Sequence, residues 1–315
     1  MTSTENTTVA LKGEGLSLKS VSLWQLTWHR LFRRKSAVVG MIILGTLIFI
    51  ALTAQWIAPY DPIQVLLGKE SVKSRQDPCI HLFGCPADKP QHIMGIDGNV
   101  RDEYSRLLYG ARLSLMIGLT TVTFAIIIGT ILGALAGYFG GWLDNLIMRI
   151  MDVLLAFPSL LLAIAIVTVL GPGLQNALLA IGIVSIPAYA RVVRASVLSV
   201  REMEYISATR ALGGDTIQIL FRRILPNALT PLIVQGTLGI ATAILDAAAL
   251  SFLGLGAQPP TPEWGSMLGA ERNQVFTAPH LVFFPGIAIA LTVLSFNLLG
   301  DGLRDALDPR LAHVS

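Results

Sequence analysis

Long apolar stretches, nearly all free of charged residues, alternate with polar segments along the chain. A helix needs about 20 apolar residues to cross the hydrocarbon layer of a bilayer. Backbone groups in lipid must bond within their own segment, which favours helices. The pattern predicts an all-α membrane protein with six transmembrane helices: Ala37–Ile57, Leu113–Ala136, Val153–Leu170, Leu174–Ala190, Ala228–Leu250 and Leu281–Gly300.

The third and fourth predicted spans lie in one charge-free run between Asp152 and Arg191. This run is too long for a single span, and Gly171-Pro172-Gly173 interrupts it near its middle. Glycine and proline break helices, so we predict a hairpin of two short spans. Arg149 and Asp152, just before it, are explained by snorkelling or by a mutual ion pair.

Basic residues predict the orientation, because Lys and Arg in short flanks stay in the cytoplasm. Four precede the first span, and the loop after the fourth span carries six Arg against three acidic residues. Both signals place the two termini and that loop in the cytoplasm. The expected organisation is a tail with an interfacial helix (1–36), a first span (37–57), an extracytoplasmic loop (58–110), a five-helix domain (111–301) containing a cytoplasmic loop (201–227), and a tail (302–315).

The segment Val21–Lys35 has its own apolar face, formed by Val21, Trp24, Trp28, Leu31 and Phe32. Basic residues follow this face, which suits a helix lying in the lipid headgroup layer. The alternative is a simple extension of the first span.

Composition supports a membrane protein and narrows the function. Hydrophobic residues make up 53% of the 315 residues and charged residues 14%, whereas about 25% is usual for soluble domains. The net charge of +3 and the lack of a basic stripe argue against nucleic acid as a partner. No Ser/His/Asp or paired-carboxylate arrangement indicates catalysis, and no phosphate-binding Gly-x-x-x-x-Gly-Lys-Ser/Thr loop is present.

Two features inside the predicted spans invite interpretation. Gly129, Gly133 and Gly137 recur every four residues, a pattern that lets membrane helices approach closely. The alternative is that glycine is simply common in membrane helices. Asp246 lies within the fifth span, where a carboxylate is costly and should face a wet cavity or a partner. A solute path, a structural ion pair and a misplaced span boundary all remain open for Asp246.

Cys79 and Cys85 lie in the predicted extracytoplasmic loop, where an oxidising environment favours a disulfide. Closing so small a loop is worth roughly 2–3 kcal/mol in the chain-entropy treatment. His81 and His92 are nearby, but no tight ligand spacing supports a metal site.

The cytoplasmic segment after the fourth span is amphipathic and too charged to cross a membrane. We predict a helix over Met203–Leu212, a break at Gly213-Gly214, and a second helix over Asp215–Ile224 that stops at Pro226. Asp215 is suited to cap the second helix. Two helices joined by a glycine turn form a rigid projection, although periodicity alone also fits a solvated surface helix.

This segment resembles the "EAA" loop of ABC-transporter permeases. Ala208, Gly213, Leu225 and Pro226 match that motif at the expected spacing, whereas Ser207, Thr209 and Arg223 depart from it.

Further blocks resemble one subfamily, the dipeptide/oligopeptide and nickel permeases of the C-subunit type. Val100 stands where the first block usually has Gly. The resemblance covers about residues 20–312, and its blocks are Gly95–Arg112, Ala156-Phe157-Pro158, Leu250–Gly256, Gln258–Gly265 and Phe296–Arg310.

The resemblance implies a type I ABC importer permease for peptides. It implies a second permease subunit, two ATPase subunits that use ATP and Mg, an extracytoplasmic solute-binding protein and a bacterial or archaeal plasma membrane. This chain would bind no cofactor or metal itself. The residues implied in ATPase coupling are Glu204, Ala208, Gly213, Gly214, Asp215, Leu225 and Pro226.

Three alternatives stay open at this level. The same machine can carry nickel, glutathione or another small solute. A secondary transporter driven by an ion gradient would need ionisable relays in several spans, and only Asp246 lies well inside one. A membrane scaffold without transport would not need the glycine-hinged segment.

Overall fold

The computed structural model describes residues 23–307, which are mostly helical, with β-pairing limited to isolated bridges. Five helices are long and apolar enough to span a membrane, and a bent helix pair supplies a sixth span. The helices are α1 (Leu23–Arg33), α2 (Lys35–Ile57), α3 (Glu103–Phe139), α4 (Gly141–Leu155), α5 (Ser159–Leu170), α6 (Leu174–Arg201), α7 (Glu204–Ala211), α8 (Thr216–Ile219), α9 (Leu225–Ala228), α10 (Thr230–Phe252), α11 (Trp264–Glu271) and α12 (His280–Leu307).

Helix directions confirm that the bent pair crosses the bundle as one unit. Gly129 of α3 lies against Tyr189 of α6, and Gly137 lies against Val197, so α3 and α6 run parallel. Parallel neighbours require the intervening α4–α5 pair to return the chain to the end where α3 began. The segments 58–102 and 253–279 therefore lie at one end of the bundle, the loop end. Residues 202–229 lie at the opposite end, the elbow end.

The third predicted span, Val153–Leu170, is wrong as a continuous helix. The chain instead forms α4 and α5, which meet at an angle of 91°. Pro158 lies at the break, where its ring and missing N–H disfavour continuation of α4. The predicted break at Gly171–Gly173 is present between α5 and α6, and Gly171 and Gly173 both have positive φ.

The α3–α6 pair packs most closely at the three glycines of α3. A methyl group added to Gly129 would lie 2.7 Å from Cβ of Tyr189, and one on Gly137 would lie 2.9 Å from the carbonyl oxygen of Arg194. One on Gly133 would overlap the carbonyl oxygen of Ala190. Direct backbone contact of this kind is how membrane helices associate without a hydrophobic driving force.

Helix α6 extends eleven residues beyond its predicted end at Ala190, and its arginines bind neighbouring helices. Arg194 holds Asp144 of α4 through two hydrogen bonds, the longer of which is 2.6 Å. Arg201 donates to the carbonyl oxygens of Gly137 (3.1 Å) and Tyr138 (3.0 Å). These carbonyls end α3 and have no partner within it, so Arg201 caps that helix.

The proposed pair between Arg149 and Asp152 does not form. Asp152 instead accepts a hydrogen bond of 2.5 Å from Arg191 of α6. Both side chains are about half exposed. The partner lies on a neighbouring helix, which spacing along one helix could not reveal.

The N-terminal helices pack on α12. Arg34 has extended backbone angles (φ −86°, ψ 113°), so α1 is separate from α2, and the alternative of a simple extension is wrong. Leu31 of α1 is buried against α12, and Gly302 of α12 fits directly over Ala37 of α2. Val21 and the side chain of Trp24 lie outside the described part, so the full apolar face is a prediction.

The glycine row of α3 yields a test with an internal control. Gly133→Ala should lower the free energy of unfolding by about 1–3 kcal/mol, since overpacking a tight contact costs this much. Gly45→Ala in α2 should not, because nothing lies within 4 Å of an added methyl group there. Both changes gain the same helix propensity. Thermal unfolding of the purified protein in detergent measures the difference, and equal melting temperatures would contradict the contact.

Candidate functional site

The segment at the elbow end, residues 202–229, is a chain of short helical pieces that we call the elbow segment. Helix α7 ends at a turn in which Gly213 has φ +81°, a conformation that glycine adopts without strain. The amide of Gly214 donates to the carbonyl oxygen of Thr209 at 3.1 Å and closes the turn. Oδ2 of Asp215 then accepts hydrogen bonds from the amides of Ile217 (3.1 Å) and Gln218 (3.3 Å). Asp215 thus caps α8, the role for which its position suits it.

The prediction that helical structure stops at Pro226 is wrong. Residues Leu220–Ile224 form a π-helical turn, and the chain continues into α9. The amide of Leu225 donates to the carbonyl oxygen of Leu220, five residues back. Pro226 falls in the first turn of α9. N–H groups in a first turn have no partner within the helix, so proline is tolerated there.

The elbow segment is fixed to the membrane bundle by its own apolar residues. Five of them are buried in the same core as the end of α6: Ile206, Ile219, Leu220, Ile224 and Ala228. A fully buried isoleucine contributes about 1.5–3 kcal/mol, so these side chains hold the segment as a rigid extension of α6.

Five other large apolar side chains of the elbow segment are exposed to its surroundings. Leu212, beside the glycine turn, is 89% exposed. The other members of this apolar row are Met203, Tyr205, Ile217 and Phe221. The row was not among the residues selected from the sequence, because the motif match points to the glycine and proline that shape the segment. The sequence does contain a signal for the apolar row: the elbow segment has more large apolar residues than its buried side can accommodate.

Among the sequence-selected residues, Glu204 begins α7, Ala208 lies in α7, and both are exposed. Gly213, Gly214 and Asp215 form the turn and cap. Leu225 is half-buried at the start of α9, and Pro226 is exposed. The structure therefore brings all seven coupling candidates into one segment.

At the loop end, a buried polar cluster surrounds His92. Its side chain is completely buried, with Nδ1 2.8 Å from Asp102 Oδ1 and Nε2 3.2 Å from Glu70 Oε2. A neutral imidazole donates from only one nitrogen. Both contacts are therefore hydrogen bonds only if the ring is doubly protonated or one carboxyl carries a proton.

Tyr60 completes the His92 cluster by stacking on the imidazole ring, with 5.1 Å between ring centroids. Burial, and then the Glu70 carboxylate, raises the pKa of Tyr60 to about 12. Its hydroxyl therefore stays protonated and faces Glu70 at 3.4 Å. Asp102 also caps α3 through the amide of Ser105 (2.8 Å), so the cluster ties the start of α3 to the chain that leaves α2.

The two segments of the loop end are bound to each other. Arg75 Nε donates to Glu271 Oε2 at 2.8 Å, and the amide of Gly98 donates to Glu271 Oε1 at 2.9 Å. Arg106 of α3 donates to the carbonyl oxygens of Pro62 (2.9 Å) and Pro260 (3.1 Å). The segment 58–102, the segment 253–279 and the start of α3 therefore form one connected assembly.

Cys79 and Cys85 form a disulfide with their Cα atoms 5.4 Å apart. His81 Nε2 lies 2.8 Å from the carbonyl oxygen of Lys89, and both ring nitrogens of His92 face carboxylates. Neither histidine is directed at the cysteines. The bond closes a short loop at the surface of the loop end.

Asp246 lies on a polar line along one face of α10. Gln235, Thr242 and Asp246 follow at steps of seven and four residues, which places them on the same side of a helix. Asp246 is half-buried and makes no hydrogen bond or ion pair with any residue between 23 and 307. At the elbow end, Gln235 lines a groove of about 460 Å³ together with Val192 of α6 and Arg304 of α12.

The fold and the elbow segment define a helical membrane protein of the transport-permease class. The family of binding-protein-dependent transport system inner membrane components matches residues 129–313. The N-terminal transmembrane domain of oligopeptide transport permease C matches residues 22–78. The chain belongs to the family of binding-protein-dependent transport system inner membrane components.

Relatives cover nearly the whole chain. The dipeptide transport system permease protein DppC of Alkalihalophilus pseudofirmus is 51% identical over 93% of this chain and 91% of its own length. The di/tripeptide permease protein DppC of Pseudomonas aeruginosa is 48% identical over 91% and 92%. The glutathione transport system permease protein GsiD of Pectobacterium atrosepticum is 46% identical over 91% of each.

An inward-facing structure of the MetNI methionine ABC transporter matches with a TM-score of 0.54 and 21% identity. It covers 64% of this chain and 97% of the matched chain. The likeness confirms the predicted fold, that of a type I ABC importer permease.

The His92 cluster yields a stability test. His92→Leu should lower the free energy of unfolding by about 2–4 kcal/mol, because Asp102 and Glu70 lose their buried hydrogen-bond partner. His81→Leu is the control, since His81 is exposed and makes one surface hydrogen bond. Thermal unfolding in detergent measures both variants. Equal stability of His92→Leu and wild type would show that the cluster does not hold the loop end.

Proposed function

We propose that this chain is one of two permease subunits of an ATP-driven importer of short peptides in a bacterial or archaeal plasma membrane. The elbow end faces the cytoplasm and the loop end faces outward, with both termini cytoplasmic. Two ATPase subunits hydrolyse ATP with Mg, a solute-binding protein delivers cargo, and this chain performs no catalysis. The observation that carries the proposal is the exposed apolar row on the rigid elbow segment.

The apolar row has the character of a protein-docking surface. Leu212, Ile217 and Phe221 are too exposed to contribute much to the stability of the chain itself. Aromatic residues and methionine are enriched at protein interfaces, and the row contains Met203, Tyr205 and Phe221. The glycine turn and the Asp215 cap fix the row's shape before a partner binds, which limits the entropy lost on docking. Because the segment shares a core with α6, movement of a docked ATPase would be transmitted to the membrane helices.

The polar line of α10 supports a solute path along this subunit. A carboxylate at membrane depth costs about 2.5–3.5 kcal/mol on insertion scales, so it faces water or a partner. Asp246 has no partner among the described residues, and Thr242 is exposed on the same face. We assign Asp246 to a wet pathway between this chain and the second permease, where its charge would attract the amino group of a peptide.

The relatives support peptide as the cargo, since two of the proteins named above are dipeptide or di/tripeptide permeases. Glutathione is the second candidate, because glutathione permeases match almost as well over the same length. Glutathione is itself a small peptide-like solute with charged termini, so both cargoes suit the same pathway.

Charged substitutions in the apolar row test the coupling role. The double variant Leu212→Asp, Ile217→Asp should lose ATPase co-purification by at least about tenfold, as expected for disrupted interface anchors. Peptide uptake should fall in parallel, and membrane insertion should be unchanged because both side chains are exposed. Phe276→Asp, an exposed apolar side chain at the loop end, is the matched control. Normal ATPase binding by the double variant would refute the coupling assignment.

Removal of the Asp246 charge tests the solute path. Asp246→Asn should lower peptide uptake roughly tenfold, as expected for the loss of one charge interaction of about 1.4 kcal/mol. Asp305→Asn is the control, because Asp305 forms only a partly exposed 3.7 Å ion pair with Arg34. Proteoliposome uptake and size-exclusion chromatography are measured together. Loss of the assembled complex instead would favour a structural ion pair.

A further inference from the structure

Two large apolar side chains project from the disulfide-closed loop at the loop end. Leu82 is 88% exposed and Phe83 is 82% exposed, and they are adjacent in sequence. They lie in the 3₁₀ turn His81–Phe83, between the bonded Cys79 and Cys85. We call these two residues the tip. Neither family match includes them, because one ends at residue 78 and the other begins at residue 129.

The tip is held rigidly although its side chains contact almost nothing. The amides of Phe83 and Cys85 both donate to the carbonyl oxygen of Ile80, at 3.0 and 3.3 Å. The disulfide closes the turn from both sides, and Cys79 exchanges two backbone hydrogen bonds with His92 (2.8 and 3.0 Å). A preformed apolar tip loses little entropy when it binds a partner.

A polar groove of about 630 Å³ runs beside the tip and has both cysteines in its wall. Its charged side chains are of both signs and include Lys73, Asp77 and Lys89. Apolar anchors next to a polar rim are the usual arrangement of a protein–protein interface. A groove with charges of both signs fits the mixed side chains of a protein surface better than it fits lipid acyl chains.

The groove is connected to the outer ends of the membrane helices. Arg75, in its wall, is the residue that binds Glu271 of α11. The carbonyl oxygen of Gln76 accepts from the amide of Ile96 at 3.0 Å, and Asp77 lies 3.7 Å from His280 at the start of α12. A partner bound here is therefore linked through short contacts to α11, α12 and the start of α3.

We infer that the tip and its groove are the docking surface for the extracytoplasmic solute-binding protein. The inference rests on the proposed function, which places the loop end outside the cell. The family to which the chain belongs is described as binding-protein-dependent, so a soluble partner has to recognise this end. Leu82 and Phe83 act as its apolar anchors, and the groove binds charged side chains around them.

The test uses the complete transporter in lipid nanodiscs, with the binding protein that stimulates the wild-type ATPase. The double variant Leu82→Ser, Phe83→Ser should raise the binding-protein concentration for half-maximal stimulation by about tenfold or more. The basal and maximal ATPase rates should be unchanged. Leu67→Ser is the matched control, an exposed apolar residue of the same segment that lies outside the tip and groove. An unchanged half-maximal concentration in the double variant would overturn the inference.

A photoreactive amino acid at position 83 identifies the occupant of the tip. Crosslinking to the binding protein, and none from position 67, is the expected result. Crosslinking only to lipid or to the second permease would overturn the inference while leaving ATP-driven import intact. Failure of every binding protein to stimulate the wild-type ATPase would instead overturn the proposed function itself.

Discussion

Close backbone contact between α3 and α6 is the constraint on which the rest of the structure depends. At Gly129, Gly133 and Gly137 there is no room for a methyl group, so the two helices are fixed in register as well as in distance. Their parallel course forces the chain between them to recross the bundle. That requirement gives the bent α4–α5 pair its place and puts the loop end and the elbow end on opposite sides.

Both ends of this helix pair are joined to the segments that we propose as docking surfaces for partner proteins. At the elbow end, Arg201 caps α3 and the elbow segment shares a core with α6. At the loop end, Asp102 caps α3 and binds His92, while Trp264 Nε1 donates to the carbonyl oxygen of Leu107 at 3.0 Å. The α3–α6 pair is tightly packed along the glycine row between these two ends. The two proposed partner surfaces are therefore mechanically connected through α3 and α6.

The spans and the elbow segment were predictable because their signals are local. Charge-free stretches identify membrane helices, and the glycines and the Asp215 cap identify the turn. The break at Pro158 was missed as a helix end because it lies inside an apolar run, where no change in charge marks it. The π-helical turn at Leu220–Ile224 was missed because it has no distinct residue pattern. Helical structure continues through this turn into α9, which contains Pro226. The contacts of the His92 cluster join residues that are 10 to 32 positions apart, between Tyr60 and Asp102, in a segment without periodicity. Only the folded structure brings these residues together.

Val100, which departs from the family pattern, has a backbone conformation that is unusual for valine. The sequence has valine where the resembling block usually has glycine, and the structure gives this residue φ +59°. That region is costly for a β-branched side chain. The turn is over-determined, however, because the amide of Val100 bonds to Asp97 (3.1 Å), its carbonyl oxygen accepts from Leu66 (2.8 Å), and its side chain is buried beside Ile96. Burial of the valine side chain offsets part of the backbone cost that glycine would avoid.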